Sequence, residues 1–264
     1  MSKRDLEGFE RAFSHLDDIT ASPKPLWLKG KPLSEGQFGH TVHPVIFPSG
    51  LVMLAPRWTA ARYQEFYEKE YDSLYRLDLK PDVGVAGIEK NAREIRDRLV
   101  ASGLSKQNIS TILDLGAGPG FGIPVLKDYF ESSNVSVIEG SPAARKIIRE
   151  NNFAEVIGNF VDEKIVVDNL NSFDLVIMRH VVEHFLSPLE ELRMVASLLS
   201  DNGRVYIAVP DMLTPRTILR DYEFWWEYWF RSVHAYYYNH FTLFRTLWLS
   251  GLVVEEWGRE NEEI

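Results

Sequence analysis

No cysteine occurs anywhere in this sequence. Disulfides, thiolate nucleophiles and cysteine-ligated zinc are thereby excluded. Basic residues are in deficit, 29 lysines and arginines against 38 aspartates and glutamates, for a formal net charge of −9. A domain-wide cationic footprint is absent, so no nucleic-acid partner is expected. No apolar run approaches the ~20 residues of a membrane span. The opening MSKRDLEGFERAF is charged where a secretory leader would carry an apolar core. A soluble, cytoplasmic protein is the expectation.

What is present is enough for a sizeable core: 264 residues, 45% of them hydrophobic and 25% charged. Residues 1–60 are punctuated by proline. SPKPLWLKGKPL and HPVIFPSGLVMLAP read as short strands and turns, an irregular N-terminal module. Residues 61–264 then read as one α/β domain. A helix is expected over 61–79, where Tyr63, Phe66, Tyr67, Tyr71, Leu74 and Tyr75 recur every three or four positions. A break at Pro81–Gly84 precedes a second helix, with Ile88, Ala92, Ile95 and Leu99 on one face.

From Thr111 strands and helices alternate. TILDLG, VSVIEG, AEVIGNF, FDLVIMR and GRVYIAVP read as strands, the last two buried on both faces. Ser141 with Pro142 starts one intervening helix. Ser187 and Glu190 form a capping box for another, whose apolar stripe is Leu189, Leu192, Ala196 and Leu199. Thr242 is expected to cap a last helix, and LVVEEWG (252–258) to form a last strand. The predicted fold is a Rossmann-like, doubly wound, mostly parallel sheet with helices on both faces.

The sharpest motif is the run from Leu113 to Gly122, in which Gly116, Gly118, Gly120 and Gly122 alternate with other residues. It joins the first core strand to a helix, at the sheet edge where open α/β folds bind ligands. Missing side chains let a ligand lie against the main chain. Asp114 sets a carboxylate at that mouth, able to meet an ammonium. Glu139 ends the second strand, where a carboxylate can accept both hydroxyls of a ribose. Asn159 and Phe160 end the third, an amide and a ring suited to an adenine's edge and face. A nicotinamide dinucleotide fits less well: Phe121 stands at the sixth position of G-x-G-x-x-G, and Pro119 removes an N–H that a pyrophosphate would use.

These motifs resemble class I S-adenosylmethionine-dependent methyltransferases, most fully over Thr111–Pro210. ILDLGAGPG resembles the family's first motif, VIEGSP its ribose-binding acid and VIGNF its adenine-side turn. The stretch from SFDLVIMRHVVEH to VYIAVP resembles its fourth and fifth strands. The resemblance implies S-adenosylmethionine as cofactor, held by Asp114, Gly116, Ala117, Gly118, Gly120, Glu139, Gly140, Asn159, Phe160 and Arg179. Asn159 stands where an aspartate is common. SGLVMLAPRWTAARYQEFYEKEY and NHFTLFRTLWLSGLVVEEW resemble methyltransferases related to nucleotide-sugar C-methyltransferases. In that group a zinc module precedes the core and a cysteine stands at the position of Ser49. Residues 1–60 would then be a degenerate, metal-free remnant of that module. The fold usually ends in an antiparallel strand pair, and only residues 259–264 follow LVVEEWG.

Methyl transfer needs alignment and, for a protonated acceptor, a base. His180, Glu183 and His184 follow the fourth strand and are the catalytic candidates. Their H-x-x-E-H spacing matches an inverted zinc-protease motif. Its place after a buried strand, within motifs of another family, argues against that reading, and no metal is expected. The segment 211–240 is strongly aromatic and reads as a substrate cap or a packing and homodimer surface. The substrate-binding candidates are Tyr71, Arg220, Trp225, Trp226, Tyr237 and His240, with His234 a further base candidate. The acceptor reads as a small molecule, a sugar or glycan-related one. An aromatic or quinone-like hydroxyl and a catalytically inactive binding module are the alternatives.

Overall fold

A computed structural model describes residues 24–25, 27–28, 31–32, 41–74, 81–104, 108–131, 134–212 and 230–258. The chain divides into two compact units. One takes the residues through Phe66 together with Arg179–Pro188 and Ile207–Leu249; the other takes Tyr67–Met178, Leu189–Tyr206 and the residues from Ser250.

The first unit is built on an antiparallel sheet of four short strands, in the order β1 (Lys24–Pro25), β4 (Pro44–Ile46), β5 (Val52–Leu54), β11 (Tyr236–Tyr237). A two-stranded ribbon, β2 (Trp27–Leu28) with β3 (Lys31–Pro32), accompanies it. Strands β4 and β5 form a hairpin whose turn is closed by Phe47 N–H to the Leu51 carbonyl at 2.9 Å. Its core gathers Val42, Val52, Leu54, Met212, Phe230 and Tyr237. Helix α1 (Ala60–Lys69) buries Tyr63 and Phe66, both in contact with the Trp58 ring. Helix α8 (His240–Leu249) closes the unit.

The second unit is the expected Rossmann-like core. Five strands run in the order β10 (Leu199–Ala208), β9 (Phe173–Arg179), β6 (Thr111–Leu115), β7 (Asn134–Ile138), β8 (Glu155–Gly158). Strand β6 pairs in parallel with both β7 and β9, and β7 with β8. The order reverses at β6, the switch point where such sheets open a crevice at their carboxyl ends. Helices α2 (Tyr71–Leu74), α3 (Pro81–Ala101), α4 (Ile123–Phe130), α5 (Pro142–Glu150), α6 (Glu163–Asp168) and α7 (Pro188–Leu198) complete the element order. The core is continuous from α3 (Ile95, Leu99) through the β6 and β9 side chains Ile112, Leu175 and Ile177. It reaches Leu126 and Phe130 of α4 and Ile148 of α5.

Local chemistry moved several boundaries. The helix expected over 61–79 stops at Lys69 and restarts at Tyr71. There the Glu70 carbonyl accepts from the Ser73 hydroxyl at 2.7 Å as well as from the Ser73 and Leu74 amides. That side chain competes with the helical ladder. Residues 75–79 lie outside the described residues. Helix α3 begins at Pro81, where a break was expected, because the first helical turn makes no use of proline's missing N–H. Leu199 belongs to β10 and not to the preceding helix. The carbonyls of Ser197 and Leu198 are taken by the amides of Asn171 and Ser172, at 3.0 Å each, which ends α7.

The cap of α8 is Asn239, not Thr242. Asn239 Oδ1 accepts from the Thr242 N–H at 2.9 Å, and Thr242 Oγ1 accepts from the Asn239 N–H at 3.0 Å, a reciprocal box. The strand expected at 252–258 does not form. Val253 and Trp257 of that segment are exposed, and Glu255 reaches Arg204 of β10 through a 2.8 Å ion pair.

Candidate functional site

The glycine loop leaves β6 and reaches α4 in seven residues. Gly116, Gly118 and Gly120 all have positive φ (79°, 59° and 78°), a region in which a Cβ is strained. Space adds to conformation at Gly120, where a Cβ would stand 2.8 Å from Ile148 Cγ1. The loop is pinned to β7 at its start by Gly116 N–H to the Ile138 carbonyl, 2.8 Å.

Glu139 stands at the end of β7, 5% exposed. Its Oε2 accepts the Gly118 N–H and its Oε1 the Ser141 N–H, each at 2.7 Å. One carboxylate therefore ties the middle of the glycine loop to the start of α5. A carboxylate in this place is the type of acceptor a ribose diol takes. Asp114 lies at the end of β6 with its pKa raised to about 7, by burial first and by the Glu139 charge second. The donor set thus fits a nucleoside that carries positive charge: a side-chain-free bend, a buried carboxylate suited to a diol, and an acid whose ionisation burial disfavours and a cation would favour.

Around this centre lie residues that periodicity did not single out. Ser141 caps α5 by accepting the Ala144 N–H at 3.0 Å, and its hydroxyl donates to Asp72 of α2. The second Asp72 oxygen accepts the Ala143 N–H at 3.3 Å. Tyr67 stacks on Tyr71 at 4.6 Å and meets Phe160 edge-on at 5.6 Å. Tyr67 also closes over Gly140, where a Cβ would come within 2.9 Å of its ring. Tyr71, a substrate candidate in the sequence, is thus grouped with the β7 and β8 loops. Asn159 and Phe160 follow β8 and are exposed; Ala117 sits within the loop. Arg179, the last residue of β9, falls in the other unit.

That other unit holds the three catalytic candidates. His180 follows β9 with φ of 57° and donates its N–H to the Ala208 carbonyl at 2.8 Å. Val182–His184 make a single 3₁₀ turn. Glu183 is 2% exposed, and His180 Nδ1 lies 3.4 Å from its Oε1. His184 meets His234 edge-on, ring centroids 4.7 Å apart. Burial lowers the pKa of His184, against the opposing pull of Glu183. Burial, then the charges of His184, Arg231 and His180, hold His234 well below the ordinary histidine value. Both rings are therefore neutral at neutral pH. Tyr237 is buried on β11, its hydroxyl accepting the Arg231 N–H at 2.8 Å and donating to the Arg231 carbonyl. His240 opens α8, its ring on Phe241 at 3.9 Å. Arg220, Trp225 and Trp226 lie outside the described residues.

Comparison with known proteins gives three results. A family model described as a methyltransferase domain matches residues 87–256. No curated protein matches the sequence. Among solved structures, a chain of the Haloferax volcanii complex between the Trm112 methyltransferase activator and a methyltransferase is similar at 17% identity and a TM-score of 0.52. That match covers 74% of this chain and 77% of the other. A SAM-dependent methyltransferase from Archaeoglobus fulgidus aligns at 16% identity and a TM-score of 0.46, over 61% of this chain and 68% of its own. An O-methyltransferase from Nostoc punctiforme aligns at 13% identity and a TM-score of 0.46, over 72% of this chain and 53% of its own.

Proposed function

This chain belongs to the methyltransferase-domain family matched over residues 87–256 and uses S-adenosylmethionine, and from that premise we propose that its acceptor is a small molecule, a sugar or glycan-related one. The observation that carries the donor half is the contact between Glu139 and the Gly118 N–H. Glu139 accepts the ribose hydroxyls, the bend at Gly116–Gly120 seats the amino-acid portion, and Asp114 answers its positive charge. Phe160 and Asn159 would cover the adenine side, Ala117 would admit the nucleoside by lacking bulk, and Gly140 makes room for the Tyr67 ring beside them. Arg179 is assigned to the donor by the motif alone.

When bound, the cofactor supplies an electrophilic methyl group on sulfur. The rest is alignment, exclusion of water and the handling of one proton. His180 is the partly exposed member of its group and is assigned proton removal from the acceptor. Glu183, whose Oε1 lies 3.4 Å from its Nδ1, orients the ring. His184 and His240, of the same unit as His180, are assigned to acceptor positioning.

The acceptor class is supported by the flanks of the core. Ser49, at the position where the nucleotide-sugar relatives carry cysteine, accepts the Leu51 N–H at 3.3 Å inside the β4–β5 turn. Asn239 Nδ2 reaches the Gly50 carbonyl of the same turn at 3.3 Å. A hairpin closed by these bonds needs no metal, in keeping with a remnant of their zinc module. Methyl transfer measured against a panel of nucleotide sugars and of phenols decides the class. Turnover confined to the sugars supports the reading; turnover confined to phenols replaces it with the aromatic alternative. Donor binding with no turnover on either favours the inactive module.

A further inference from the structure

Burying a carboxylate without a partner costs several kcal/mol, so such a group signals a missing counter-charge. Glu183 is 2% exposed, and neither of its oxygens has a hydrogen-bond partner among the described residues. The His180 ring lies beside it, Nδ1 3.4 Å from Oε1. Two imidazoles share its surroundings. Donor atoms of Glu183, His184 and His234 all lie within 4.8 Å of one another, and all three residues belong to the same unit.

The histidines are prepared as ligands. The Val233 carbonyl stands beside the His184 ring as a hydrogen-bond acceptor. The Tyr63 hydroxyl donates to the same carbonyl and stands 3.4 Å from His184 Nδ1, fixing that edge of the ring. A backbone carbonyl behind a ligating imidazole is the usual outer support of a metal site. His234 follows Val233 directly and is held by a turn, its N–H bonding the Arg231 carbonyl at 3.0 Å. His234 is 6% exposed.

The geometry points to a divalent transition-metal site formed by Glu183, His184 and His234. Two imidazoles and one carboxylate suit zinc and its spectroscopic substitute cobalt, and suit magnesium or calcium poorly. Three protein ligands leave a further position for an exchangeable oxygen donor, water or an acceptor hydroxyl. Arg231 places positive charge near both histidines and opposes the ion; the Glu183 carboxylate supplies the negatively charged ligand. This is not the H-x-x-E-H pattern of the sequence. His180 is absent from the donor set, and the third ligand comes from a position about 50 residues further on that spacing does not connect. The inference goes beyond the acceptor reading and is independent of it, because metal uptake is read without methyl transfer.

Cobalt(II) titration of the chelator-treated full chain tests it. We expect one equivalent taken up, with the visible d–d bands of a nitrogen- and oxygen-ligated ion. Glu183→Gln and His234→Ala should each weaken uptake by about 100-fold or more, the loss of a whole ligand exceeding the effect of an outer partner. His43→Ala, outside the cluster, should leave uptake unchanged. Retained S-adenosylmethionine binding shows that each variant is folded. Wild-type protein that takes up no cobalt beyond loose surface binding overturns the site. So does uptake undiminished in either folded cluster variant. If one of them fails to fold, the wild-type titration and the other still decide.

Discussion

The carboxylate of Glu139 accepts the amide hydrogen of Gly118 at 2.7 Å, across 21 positions of sequence. That bond joins the acid at the end of β7 to the bend at the end of β6. These are the two features that must meet on one nucleoside if the donor site is real. The bond also makes Glu139 a structural member of the loop it serves, so its substitution has two readouts.

Glu139→Gln keeps one acceptor oxygen for the backbone but loses the charge that a diol prefers. A hydrogen bond to a charged group is worth about 1.5–3 kcal/mol, so S-adenosylmethionine should bind roughly 10- to 100-fold more weakly. Isothermal titration measures this directly. Unchanged affinity in the folded variant would remove Glu139 from the ribose.

Asp114 makes donor binding depend on pH. Its pKa of about 7 lies above that of an unfolded aspartate, so ionisation is disfavoured in the folded, unliganded chain. The resulting penalty on stability is absent below about pH 4, grows between about pH 4 and pH 7, and is complete above that. A cationic donor favours the ionised form. S-adenosylmethionine affinity should therefore rise through neutrality, with proton release on binding. Asp114→Asn should raise the melting temperature at about pH 8 more than at about pH 5, and should flatten the pH dependence of binding. A variant whose binding keeps the wild-type pH profile contradicts the assignment.

Gly120→Ala should be the most damaging single methyl group in the loop. The residue has φ of 78°, and the new Cβ would meet Ile148 Cγ1 at 2.8 Å. Left-handed strain and overpacking together cost about 2–4 kcal/mol. Chemical denaturation reads the loss. Gly103→Ala, with φ of 79° and open space at its Cβ, should cost only the conformational part.

Asp174 anchors the start of β9 to the start of β6. Burial alone would raise its pKa, but hydrogen bonds from Ser110, Ser200 and Thr111 outweigh burial and hold it below the usual carboxylate value. Its contribution to stability is present above the unfolded pKa, about 3.9, and is lost as pH falls through the lower folded value. Asp174→Ala should destabilise the fold at neutral pH, by about 1 kcal/mol once solvent screening is allowed for, and by less as the wild type is acidified. Paired urea melts at neutral and acid pH would expose a constant difference, which this account does not allow.

The parallel core was legible because each of its signals is local. Strand runs such as Thr111–Leu115 and Phe173–Arg179 are apolar and short, and the bend between β6 and α4 needs glycine where sequence shows it. The first unit was hidden because it is assembled from three separated stretches of chain. Its strand β11 pairs with β5 across about 180 residues, a partnership that no periodicity encodes. Asp72 illustrates the same limit within the core: nothing in YDSL indicates that its carboxylate supports the start of α5. Asn239 and Thr242, three positions apart, are equally good capping residues in sequence, and only geometry shows that the two bond each other.

The central claim is that the bend at Gly116–Gly120 with Glu139 receives a sulfonium nucleoside. Calorimetric titration of the whole chain with S-adenosylmethionine and, separately, with NAD tests it most directly. The account predicts one site with an affinity of about micromolar to high micromolar strength for S-adenosylmethionine, and no comparable heat with NAD. Silence with S-adenosylmethionine at millimolar concentration, or tight binding of NAD, would contradict it.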